Sequence, residues 1–124
     1  MRAPMTIGEL ISALKRKDQA EEVSFDFVHL KPNGTIHSYR GDYRQIALGY
    51  DCSCKSSPKR VTVGELVALL QSAIGETFIG YKGGEYEMHE GAIVHVANYG
   101  ESGSTVIVDV ADQLYVTLVT ERQD

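Results

Sequence analysis

Two stretches of this chain begin a helix in nearly the same words, Thr6-Ile7-Gly8-Glu9-Leu10-Ile11 and Thr62-Val63-Gly64-Glu65-Leu66-Val67. In each, the threonine hydroxyl can accept the N3 backbone N–H while the N3 glutamate reaches back to the threonine N–H. An apolar residue just before the cap can staple onto the N4 leucine, Met5 onto Leu10 and Val61 onto Leu66. The chain is thereby committed to two helices with defined starting points.

The first helix puts Ile7, Leu10, Ile11 and Leu14 on one stripe and runs into Lys15, Arg16 and Lys17, which suit the negative end of the helix dipole, so it is expected to end near residue 17. The second carries Val63, Leu66, Val67, Leu70 and Ile74 on its stripe, with Ala68, Leu69 and Ala73 outside it and Gly75 as the C′ residue. So apolar a helix is expected to touch protein on more than one side, including a partner subunit.

Elsewhere the hydrophobic period is two. Val23 to Leu30 reads as a strand with Phe25 and Phe27 inward, Pro32-Asn33-Gly34 as a turn, Thr35 to Tyr39 as the returning strand, and residues 43–50 as a third. The second half reads as short antiparallel strands at Thr77 to Tyr81, Glu85 to Met88, Ile93 to Asn98, Thr105 to Val110 and Leu114 to Thr120. The expected fold is α+β, an antiparallel β-sheet with two main α-helices in a single compact domain spanning 1–124. The polar stretch Lys55 to Arg60 joins two helix-then-strands halves, roughly 1–54 and 61–124. The halves are analogous, but spacing does not establish a repeat.

A 124-residue chain with 43% hydrophobic residues has the size and composition to build its own core. Its formal charge of −5 argues against gripping duplex nucleic acid or an anionic membrane through a broad basic field. No apolar run is long enough to span a bilayer and no signal-type segment opens the chain, so a cytoplasmic location is expected. Cys52 and Cys54, one residue apart, would close a strained ring as a disulfide, and no neighbouring histidine completes a metal site. They read as reduced thiols, and neither a metal nor a cofactor is expected.

The chemistry-bearing phrases are Tyr39-Arg40-Gly41-Asp42-Tyr43 and Tyr81-Lys82-Gly83-Gly84-Glu85-Tyr86, with Asn98-Tyr99-Gly100-Glu101-Ser102-Gly103-Ser104 after them. A cation and tyrosine rings beside glycines suit a flat, phosphate-bearing ligand, because the glycines let backbone N–H groups approach closely. Arg40, Tyr43, Tyr81, Lys82, Gly83, Gly84, Asn98, Tyr99 and Gly100 are the candidate contacts from this pattern. Asn98 offers a donor and an acceptor together, which can read a base edge or a ribose hydroxyl. Plain turns with strand-end tyrosines are the competing reading. Lys59 and Arg60, just before the second helix, form a second candidate anion site together with that helix's N-terminal N–H groups.

No arrangement among His29, His37, His89 and His95 matches a known catalytic or metal motif, and there is no phosphate-binding Gly-x-x-x-x-Gly-Lys loop. His95 reads as a packed strand residue and the other three as surface or turn residues. The expectation is a binder rather than an enzyme. An enzyme that degrades a cyclic nucleotide and a structural or protein-interaction module remain as alternatives.

Four phrases together carry a family likeness: Met5-Thr6-Ile7-Gly8-Glu9-Leu10; Ser38 to Tyr43 with Ala47-Leu48-Gly49-Tyr50; Gly80 to Tyr86; and Val96-Ala97-Asn98-Tyr99-Gly100. The chain resembles the phage-encoded anti-Thoeris proteins of the first type over most of its length. The resemblance implies a protein of the infected bacterial cytosol that sequesters, without cleaving, the cyclic ADP-ribose-type signal of a TIR-domain defence system. It also implies homodimers or larger homo-oligomers with pockets at subunit contacts, and in some relatives a separate site for cyclic oligonucleotides, for which Lys59 and Arg60 are the candidates here. On this resemblance Phe78, Tyr81, Met88 and Asn98 supply the aromatic and amide contacts, while Arg40 and Lys82 meet the diphosphate.

Overall fold

The computed structural model describes residues 3–26, 30–38, 45–52, 61–79, 83–96, 104–112 and 115–123. Both capping boxes form: Glu9 N–H donates to Thr6 Oγ1 at 3.2 Å and Thr6 N–H to Glu9 Oε1 at 3.0 Å, and the Thr62–Glu65 pair repeats both distances. Helix α1 runs Ile7–Lys15 and α2 runs Val63–Ala73. Ile7, Leu10, Ile11 and Leu14 are buried as the stripe requires. The second stripe closes one residue earlier than expected. Ala73 is fully buried, whereas Ile74 is the C-cap, leaves the helix in extended conformation and is 38% exposed. Gly75 follows at φ +86°, as a C′ glycine should.

The strands are β1 (Val23–Phe25), β2 (Leu30–Ser38), β3 (Gln45–Cys52), β4 (Thr77–Ile79), β5 (Glu85–Glu87), β6 (Ile93–Val96), β7 (Ser104–Asp112) and β8 (Val116–Gln123). Six of them form one sheet in the order β1-β8-β7-β6-β3-β2, and β4 with β5 form a separate two-stranded ribbon. The domain is α+β with a mostly antiparallel sheet, but β1–β8 and β3–β6 pair in parallel. Each parallel pair joins a strand of one half to a strand of the other, a long-range choice that strand periodicity does not encode. β1 also packs beside β2, so the two ends of the strand order approach each other.

Two expectations for the first hairpin are corrected. β1 ends at Phe25, and Leu30 belongs to the next strand. Pro32-Asn33-Gly34 does not reverse the chain: it is a bulge inside β2, where Asn33, Gly34 and Thr35 stand opposite Gly49 between the pairs Pro32–Tyr50 and Ile36–Leu48. Turn chemistry is present, with Thr35 N–H and Oγ1 donating to Asn33 Oδ1 at 3.1 and 2.5 Å and Gly34 at φ +82°. It bends an edge strand, where a proline is tolerated, instead of ending it. The bulge needs a glycine across from it. A Cβ on Gly49 would overlap Thr35 Oγ1 and stand 2.8 Å from Asn33 Oδ1. Gly49→Ala is therefore expected to destabilise by about 1–3 kcal/mol in urea unfolding, and less when Thr35→Ala is added to remove the colliding oxygen.

Each helix start docks on the opposite half. Ile7 and Gly8 N–H donate to the carbonyls of Ala92 and Glu90 at 2.9 Å each, and Val63 and Gly64 N–H to those of Glu21 and Gln19 at 2.8 and 3.0 Å. The N2 glycine matters to this approach at one start and not at the other. A Cβ on Gly8 would stand 3.6 Å from the Glu90 carbonyl, an ordinary contact, but one on Gly64 would stand 3.2 Å from that of Gln19. Gly8→Ala is expected to raise stability by roughly 0.5–1 kcal/mol through helix propensity. Gly64→Ala should lose most or all of that gain, a contrast readable in thermal midpoints.

The core gathers the helix stripes against Val23, Phe25, Ile46, Leu48, Val94, Val96, Ile107, Val110, Val116 and Leu118. The opposite face of the sheet is also closed at Ala47, His95 and Val106, cross-strand neighbours that are each at most 4% exposed. His95 is thus a packed strand residue, as its sequence context implied.

Candidate functional site

Of the candidate contacts, Phe78, Gly83, Gly84 and Met88 fall within the described residues; Arg40, Tyr43, Lys59, Arg60, Tyr81, Lys82, Asn98, Tyr99 and Gly100 lie outside them. Phe78 sits on the inward face of the ribbon directly opposite Tyr86, and the two half-buried rings stack with centroids 6.1 Å apart and planes 25° from parallel. Gly83, at φ +85°, and Gly84 are exposed near the ribbon tip, with open space around both. The outward face carries Thr77, Ile79, Glu85 and Glu87, with Ile79 68% exposed.

Met88 is corrected. Its side chain is 2% exposed and belongs to the hydrophobic core, leaving no surface for a ligand within the protomer. Its backbone closes the base of the ribbon, accepting from Gly75 N–H at 2.8 Å and donating to the Glu76 carbonyl at 2.9 Å. The helix part of the second anion site is corrected as well. The N1 and N2 N–H groups of α2 are taken by the Glu21 and Gln19 carbonyls and the N3 N–H by Thr62 Oγ1, so the donors an anion would use are already spent.

The anchors of the three phrases have a definite geometry. β3 begins at Gln45 opposite Ile93, the first residue of β6, so the connection carrying Arg40 and Tyr43 is rooted at the N-terminal end of β6. The ribbon rejoins the sheet at that same end through residues 89–92, and Ile79–Glu85 is its last pair before the segment that contains Tyr81 and Lys82. Val96, paired with Leu48 and Thr105, ends β6, so the segment carrying Asn98 leaves from the opposite end, roughly 10 Å away by strand rise. The described strands that flank the first two phrases thus meet the sheet at one end of β6, and the strand that precedes the third ends at the other. The flanks of the two Tyr-cation-Gly phrases are also not equivalent in the fold: β2 and β3 belong to the main sheet, β4 and β5 to the ribbon.

No family model matches the chain, and no curated protein or solved structure matches it either.

A different concavity lies on the outer side of α2. Gly34, Val61, Glu65, Ala68, Leu69 and Ser72 line an open groove of about 410 Å³ between the helix and the β2 bulge. Of the apolar residues outside the expected stripe, Ala68 is exposed and Leu69 half-buried, while Ala73 is buried. Among the described residues no three His, Cys, Asp or Glu side chains group as metal ligands, and no helix is long and apolar enough to cross a membrane.

Proposed function

We propose that the chain is a phage immune-evasion protein that binds a cyclic ADP-ribose-type signalling nucleotide of a bacterial TIR-dependent defence system and holds it uncleaved in the host cytosol. The observation that carries this reading is the common root of two phrases of like composition. Tyr39 to Tyr43 precede β3, whose first residue pairs with the first residue of β6, and Tyr81 to Tyr86 run into β5, which leads through residues 88–92 to that same end of β6. Turn chemistry alone has no need of a cation and flanking tyrosines in both segments.

In this reading Arg40 and Lys82 meet the diphosphate through charge-assisted hydrogen bonds, and the tyrosines with Phe78 supply stacking surface worth about 1–3 kcal/mol per base. Holding a signal at nanomolar concentration takes about 12 kcal/mol, more than one stacked ring and two ionic hydrogen bonds provide. Asn98, rooted at the far end of β6, meets the same ligand from a second copy of the chain, which makes the binding unit a homodimer or a larger homo-oligomer.

The test is direct. Purified protein is mixed with cyclic ADP-ribose isomers, passed through a desalting column and heat-denatured, and the released nucleotide is chromatographed. The expected result is unchanged nucleotide in near-stoichiometric amount. Product accumulating beyond one equivalent per chain would establish a degrading enzyme instead, and no retention before heating would defeat the binding reading. The α2 groove favours one further alternative, a protein-interaction module. Under that reading, charge reversal at Arg40 and Lys82 leaves the activity intact.

A further inference from the structure

The two halves of the chain share a series of equivalent hydrogen bonds. Besides the paired capping boxes and helix dockings, Val23 N–H donates to the Val61 carbonyl at 2.9 Å as Val94 N–H does to that of Met5 at 3.2 Å. Glu22 bridges Thr62 as Ile93 bridges Thr6. The turns before β1 and β6 agree as well: Glu21 N–H donates to the Asp18 carbonyl at 3.1 Å and Ala92 N–H to that of His89 at 3.0 Å. Asp18 Oδ1 accepts from Ala20 N–H at 3.0 Å, and His89 Nδ1 accepts from Gly91 N–H at 2.9 Å. His89 thus does for its turn what Asp18 does for the other.

The sheet carries the same correspondence. Val23–Val116 and Phe25–Leu118 match Val94–Ile46 and Val96–Leu48 in the two parallel pairings. Leu118 then pairs Val110, and Val116 pairs Asp112, as Leu48 pairs Ile36 and Ile46 pairs Ser38. Both long hairpins are irregular just before this point, between Pro32 and Ile36 in one and between Ile107 and Asp109 in the other. β1, β2 and β3 therefore correspond to β6, β7 and β8, and exchanging the halves maps the strand order onto itself, with the β1–β2 contact standing for the β6–β7 pairing. The strand connections differ in length between the halves, and among the described elements the β4–β5 ribbon has no counterpart. Lys17 corresponds to Ala73 and Asp18 to His89, so residues 74–88, the whole β4–β5 ribbon, are extra.

We infer that the chain is a duplicated helix-plus-three-strand unit closed about a pseudo-twofold axis, and that residues 74–88 are an insertion the fold does not require, devoted to holding the ligand. The second clause rests on the nucleotide-binding reading above. The first half shows how the connection closes without a ribbon: Gln19 Nε2 donates to the carbonyls of Leu14 and Lys17 at 3.1 and 2.9 Å, finishing α1 while Asp18 caps the turn. In the second half the ribbon base takes over that task through Gly75 and Met88. In both Thr-x-Gly-Glu starts the N2 N–H donates to a carbonyl of the other half, closely enough at Gly64 to favour glycine.

The experiment uses two variants of the full chain. In the first, residues 74–88 are removed so that Ala73 precedes His89, with Glu90→Gln supplying the amide that Gln19 provides in the other half. In the second, Gly-Ser-Gly is inserted between Gly83 and Gly84, where open space leaves the core untouched. The deletion is expected to keep a cooperative thermal transition and helical circular dichroism and to retain no cyclic ADP-ribose isomer. The tip insertion is expected to melt as the wild type does and to bind at least tenfold more weakly. A deletion variant that does not fold overturns the insertion. Either variant folded with wild-type nucleotide retention overturns the dedication to ligand. If the wild type itself retains no nucleotide, the binding reading and the ligand clause fail together, while the deletion's folding still decides the insertion.

Discussion

Leu10→Ala and Leu66→Ala each lower stability by about 2–5 kcal/mol, because each deletes a fully buried side chain at the N4 position of a helix whose neighbours cannot collapse fully into the space. For a domain of this size that corresponds to a fall of roughly 10 °C or more in thermal midpoint. The two leucines occupy corresponding places, each following a Thr-x-Gly-Glu cap and each buried where α1 and α2 meet the sheet. Their losses should therefore agree within about 1 kcal/mol, and since the helices touch, the double variant should deviate from additivity. Chemical denaturation of the three variants measures both quantities. A loss confined to one leucine would mean that one helix start contributes little to the cooperative unit.

Lys82→Glu, and separately Arg40→Glu, weaken retention of a cyclic ADP-ribose isomer by about 100-fold or more. Under the proposed function each exchanges a charge-assisted hydrogen bond worth roughly 1.5–3 kcal/mol for repulsion against a diphosphate. Calorimetric titration gives the affinities, and an unshifted thermal midpoint shows that the loss belongs to the ligand and not to the fold. Both substitutions together should cost less than the sum of the two, because two anchors of one ligand are coupled. Lys59→Glu provides the contrast. With the donors of the adjacent helix start already engaged by Glu21, Gln19 and Thr62, it should change cyclic ADP-ribose binding little. Equal, full losses at Lys59 and Lys82 would indicate a general charge effect and undo the assignment of Lys82 to the ligand.

Much of the candidate site was legible as composition but not as geometry. The tyrosines, cations and glycines of residues 39–43 and 81–86 stand out in the sequence because few structural roles require them together. Their common root at one end of β6, and the departure of the Asn98 segment from the other, follow from the parallel pairing of β3 with β6, to which the phrases themselves contribute nothing. Met88 shows the opposite failure. Only the family resemblance named it as a contact residue, and closure of the ribbon base turns its side chain into the core.

What the sequence determined by itself is local: where both helices start, because a threonine and a glutamate three residues apart satisfy each other's backbone partners, and which faces are buried, because a period of 3.6 or 2 is written in consecutive residues. It also marked Gly75 as a helix end and Asn33-Gly34 as a place where the backbone leaves its regular path. Whether that departure reverses the chain or only bulges it depended on Gly49, a distant residue whose missing side chain admits Thr35. Only the tertiary structure decided the strand order, the two parallel pairings and the reciprocal docking of each helix on the other half. Those choices rest on contacts between residues far apart in the chain, and their energies depend on three-dimensional fit that no short stretch of sequence carries.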